Sequence, residues 1–125
     1  MNIFLIAILL ILIITVLLYN SLVTKKNEVD NINASVDTLL KKRYDLIPNL
    51  VNIAKEYMKY EKELLEKVTA LRSKALNAND ETQKLKLNKE ISSALGSIMV
   101  AVENYPELKA NENMLHLQQT LTEIE

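Results

Sequence analysis

A chain of 125 residues has room for one domain and an anchor, and its formal net charge of −1 supplies neither the basic excess that nucleic acid demands nor an acidic tail. One glycine, Gly96, and two prolines, Pro48 and Pro106, are too few for the many turns of an all-β fold, so the chain is expected to be all-α. With no cysteine, the chain has no disulfide, thiolate metal site, cysteine nucleophile or lipid-modified cysteine.

The first predicted element is a membrane helix. Residues 3–18 are apolar except at Thr15, and Tyr19, Leu22 and Val23 carry that character further. At about 1.5 Å per residue, residues 3–23 reach roughly 30 Å, the thickness of a bilayer's hydrocarbon core. The reading is a retained single-pass anchor over residues 1–23, in lipid through residues 3–23, with Tyr19, Lys25 and Lys26 at the interface. A cleaved signal peptide is the rival. It needs a cationic start and a small-x-small site, and Met1, Asn2 and residues 19–22 provide neither. Lys25 and Lys26 against an uncharged N-terminus point residues 24–125 toward the cytoplasm.

Leu22, Val29, Ile32, Val36 and Leu39 recur at steps of three, four or seven, which predicts an amphipathic helix over residues 23–46, a coiled-coil-like continuation of the anchor. Pro48 is then expected to end it. A proline lacks the amide that a helix interior uses, its ring clashes with the preceding turn, and it disfavours helical dihedrals at Ile47. A second helix is predicted over residues 48–77, on a stripe of Leu50, Ala54, Tyr57, Leu64, Val68, Leu71 and Ala75 that only Glu61 interrupts. Residues 77–81 form a turn with a side-chain cap. A third helix follows to about residue 104 on Leu87, Ile91, Leu95, Ile98 and Val102. Pro106 makes a second corner, and Asn111 caps a last helix on Met114, Leu117, Leu121 and Ile124.

Short connections make successive helices antiparallel. Both proline corners, Pro48 and Pro106, are thereby expected at the membrane-distal end of the bundle of residues 24–125. Arg43, Asp45, Asn49, Tyr105, Lys109 and Asn111 would there form one surface for a protein partner, since Arg and Tyr are favoured interface anchors. The local alternative, in which Arg43 pairs with Asp45 and Asn111 only caps a helix, stays open.

The strings KKRYDLIPNL at 41–50 and VNIAKEYMKYE at 51–61, the ALG at 94–96 and VENYPELKANENMLHLQQTLTEIE at 102–125 resemble the bacterial LemA family. The resemblance implies a membrane-anchored antiparallel helical bundle, and no biochemical activity is assigned to the family. It matches the family pattern at Asn31, Asp37, Lys41, Arg43, Asp45, Leu46, Pro48, Asn49, Leu50, Tyr105, Pro106, Leu108, Lys109, Asn111, Leu117 and Leu121. Asn33 stands where the family usually has a tryptophan. The resemblance also implies a chain short at its C-terminus, with the last helix incomplete.

Catalytic chemistry finds little support. His116 follows Glu112 by four, but neither the Glu-x-x-His of a di-iron bundle nor the two histidines of a zincin is present, so no metal or cofactor is expected. The acid pairs Glu61 with Glu66 and Glu123 with Glu125 sit in charged helix faces, and one glycine cannot build a phosphate loop. Tyr57 and Met58 point inward at helical spacing, which favours core over a base-stacking platform. The expected function is a non-enzymatic membrane-anchored scaffold or adaptor for a protein partner, with no nucleic acid or small-molecule substrate; the alternative is a self-associating, membrane-organising module.

Overall fold

Pro48 does not end a helix. In the computed structural model, which describes residues 3–124, α1 runs unbroken over Ile3–Tyr57 with Pro48 inside it. The corner expected at Pro48 is corrected to a turn at residues 58–61, after which come α2 (Lys62–Leu76), α3 (Glu81–Val102), α4 (Pro106–Lys109) and α5 (Glu112–Ile124). The expectations resting on Met1, Asn2 and Glu125 lie outside the described residues.

The reason is tertiary. An interior proline costs about 3 kcal/mol because the carbonyl four residues earlier, here Tyr44 O, loses its donor. Arg72 of α2 replaces that donor, its Nε lying 2.6 Å from Tyr44 O. A hydrogen bond from a charged group contributes about 1.5–3 kcal/mol. On either side of the proline Ile47 and Leu50 are fully buried and Val51 nearly so, each contributing about 1.5–3 kcal/mol more. Continuing the helix therefore outweighs stopping it. We expect Arg72→Met to lower stability by about 1.5–3 kcal/mol. In a Pro48→Ala background the loss should shrink, because the new amide can serve Tyr44 O; equal losses in urea melts of both backgrounds would disprove the compensation.

The chain divides into two compact units, Met1–Thr38 and Leu39–Glu125. In the first, every described residue is helical and exposed. Its apolar run makes α1 the one described helix long and apolar enough to cross a membrane by length and composition. Val29, Ile32 and Val36 continue the apolar side chains beyond that run, each about half exposed.

The second unit is an all-α bundle. Its core joins Ile47, Leu50 and Ala54 of α1, Leu65, Val68 and Leu71 of α2, Ile91 and Ile98 of α3, Leu108 of α4, and Met114 and Leu117 of α5. The α3 stripe lies buried as its 3.6-residue spacing predicts. In α2 Val68, Leu71 and Ala75 are buried as their stripe predicts, with Leu65 buried beside them and Leu64 half-buried against the core. Caps are local and follow the sequence. Asp80 accepts from Gln83 N at 3.0 Å to open α3, and Asn111 Oδ1 accepts from Asn113 N and Met114 N at 3.0 and 3.1 Å to open α5.

Candidate functional site

An open groove lies on each side of α5. One, of about 320 Å³, lies between α3 and α5: Ser92, Leu95, Gly96, Met99 and Glu103 form one wall, Gln118, Leu121 and Thr122 the other, and Arg43 closes an end. The α3 residues fall at steps of three and four, so they share a face about 16 Å long. The second groove, about 710 Å³, lies between α1 and α5. Lys42, Leu46, Asn49, Asn52 and Ile53 face Asn113, His116, Leu117, Thr120 and Glu123 across it.

Arg43 is the one buried charged side chain among the described residues, at 7% exposure. Its Nη1 donates to Ser92 Oγ at 2.9 Å, whereas its Nε is buried without a hydrogen-bond partner. Neighbouring Tyr44 donates from its hydroxyl to Asn88 Oδ1, so two successive residues of α1 hold polar side chains of α3. No ion pair among the described residues includes Arg43.

A separate polar junction joins two turns. Tyr105, which precedes Pro106, donates from its hydroxyl to Glu61 Oε2 at 2.6 Å, locking the corner after α3 to the turn after α1. That hydrogen bond, then burial and the nearby Glu61 charge, raises the Tyr105 hydroxyl above a tyrosine's ordinary 10.0. A raised value in the folded state means that the stabilisation is intact below about pH 10 and is lost as pH rises through the raised value. Alkaline titration should therefore lower the melting temperature of the parent above about pH 10 more steeply than that of Tyr105→Phe; parallel curves would disprove the coupling.

A family model described as the LemA family matches residues 33–125. The chain belongs to the LemA family. Protein LemA of Metamycoplasma hominis is 32% identical over 100 residues, which cover 79% of this chain and 45% of that relative. The LemA-family chain thus spans less than half the length of the curated relative it matches.

The six residues read as one partner-binding patch are distributed over several places. Arg43 is buried against α3 and bonded to Ser92, not to Asp45, which is exposed. Asn49 is on the wall of the α1/α5 groove. Tyr105 is held by Glu61, Lys109 pairs through Nζ with Glu103 Oε2, and Asn111 caps α5. Pro106 opens α4 at its first helical position, where a missing amide costs nothing. Tyr19, Lys25 and Lys26 are exposed on α1, and Lys25 pairs with Glu28 at 3.3 Å. Ser92, Asn88 and Arg72 join the site through contacts that no spacing in the sequence marks. Glu61 did carry a signal: it was the one acid interrupting an apolar stripe, and it is the residue that receives Tyr105.

Proposed function

We propose that this LemA-family chain is a non-enzymatic membrane-attached adaptor, anchored in the bilayer through residues 3–23 with the bundle in the cytoplasm, which receives a protein partner beside α5. The observation that carries this reading is the pair of open grooves flanking α5, with apolar floors and polar rims in the pattern of protein interfaces. The membrane part rests on the length and apolarity of the N-terminal stretch of α1. The orientation rests on Lys25 and Lys26.

Alkaline carbonate should leave the full chain in the membrane pellet and release a chain lacking residues 3–23; release of both would sink the anchor. For the adaptor, amine crosslinking in membranes followed by affinity capture should yield a defined partner that Asn49→Arg with Asn113→Arg diminishes. Both positions are exposed, so the fold should be kept. Capture of the same proteins in the same amounts from both would count against the grooves.

One observation favours a second reading, self-association. Val29, Ile32, Val36 and Leu39 are all exposed, at alternating steps of three and four, with valine at every seventh position. That is the seam of a parallel two-stranded coil. Cysteine at Ile32 should then crosslink two copies readily while cysteine at Asn33 does not.

A further inference from the structure

Arg43 and Gly96 pose the same question from two sides of one groove. A buried guanidinium is costly unless an opposite charge meets it, and Arg43 has only the Ser92 hydroxyl, with Nε unsatisfied. Gly96 is placed mid-way along α3, where glycine is the poorest residue short of proline. The backbone does not require it, since no described glycine has a positive φ. Nor does packing within the chain, because a Cβ built at Gly96 would meet no atom within 4 Å. A glycine that neither conformation nor internal packing asks for is accounted for by a close approach from outside, as when a second backbone crosses a helix.

We propose that the α3/α5 groove is the seat of an acidic helical segment of a partner protein, whose backbone crosses α3 at Gly96 and whose carboxylate pairs with Arg43. The inference rests on the adaptor reading and names the partner's chemistry. A carboxylate matches the fork of a guanidinium and supplies a charge that no ion pair among the described residues gives Arg43. Leu95, Met99 and Leu121 give the segment an apolar floor between them. At the far end Glu103 is already engaged by Lys109, so its charge does not call for a base on the segment. The run from Ser92 to Glu103 accommodates about three turns of a crossing or parallel helix.

The test places a benzophenone amino acid at Thr122, on the exposed wall of this groove, or at Asn52, on the exposed wall of the α1/α5 groove, in the full chain in its native membrane. Irradiation at Thr122 should attach a segment of a different protein that carries Asp or Glu within two turns of the crosslinked residue. The yield should fall at least tenfold in Arg43→Gln and in Gly96→Leu, the latter filling open space with a better helix former, so that its melting temperature is at or above the parent's. Arg43→Glu should recover it when the partner's acid is changed to Arg. An adduct with a second copy, with lipid or with a segment lacking an acid overturns the proposal, as does a yield indifferent to both substitutions. Adducts from Asn52 alone overturn it and leave the adaptor reading standing; none from either position overturns both.

Discussion

Ile98→Asp should abolish the cooperative melt of residues 39–125. Ile98 is wholly buried in the middle of α3 and belongs to the cluster that joins α1, α2, α3, α4 and α5. An isolated carboxylate in such a place meets no donor and loses its water, at a cost of several kcal/mol, and the deleted apolar surface adds about 1.5–3 kcal/mol. Together these rival the whole stability of a domain this size, about 5–15 kcal/mol. Val100→Asp, two positions on, is the matched control. Val100 is 72% exposed, so the same substitution should change stability by about 0.5 kcal/mol or less. Circular dichroism melts of the full chain in detergent decide the matter. If Ile98→Asp melts like the parent, or Val100→Asp melts like Ile98→Asp, the phase of α3 is wrong.

That contrast also marks what the sequence makes legible. Leu87, Ile91, Leu95, Ile98 and Val102 are buried where their spacing put them, because a helix presents one face to the core over its whole length. Asp80 and Asn111 cap where they were expected to, because a cap is settled within three residues. Pro48 misled for the converse reason. Its local preference is to end a helix, and the donor that overrides that preference, Arg72, lies 28 residues beyond the carbonyl it serves, that of Tyr44. The misplaced corner then carried an error into the site, since Arg43, Asp45 and Asn49 were assigned to a turn when they lie on an unbroken helix. Two turns do meet, but they are residues 58–61 and the Tyr105–Pro106 corner, joined by Glu61 and Tyr105. Polar contacts between distant residues, such as Arg43 with Ser92, have no period in sequence and leave no trace in spacing.

Arg43→Met should raise the stability of the free chain, whereas Arg43→Ala should lower it. Arg43 is buried with one hydroxyl partner at Nη1 and an unsatisfied Nε, and no ion pair among the described residues offsets that desolvation. Replacing buried charges by apolar side chains of similar volume has stabilised proteins by about 1–4 kcal/mol. Methionine follows much of the same path and keeps contact with the surrounding side chains. Against that gain stands the lost bond from the charged donor to Ser92, about 1.5 kcal/mol at the low end of such bonds because the hydroxyl can turn toward water in the groove. A net gain of up to about 2.5 kcal/mol remains, which at about 4–8 °C per kcal/mol raises the melting temperature by up to roughly 10–20 °C. Alanine removes the same charge but also leaves a cavity, and for long side chains that costs about 2–5 kcal/mol, so the sign reverses. The order Met above parent above Ala in thermal melts is the expected result. Parent above both would mean that the guanidinium is well served within the chain, and an acidic segment would then have nothing to neutralise at Arg43.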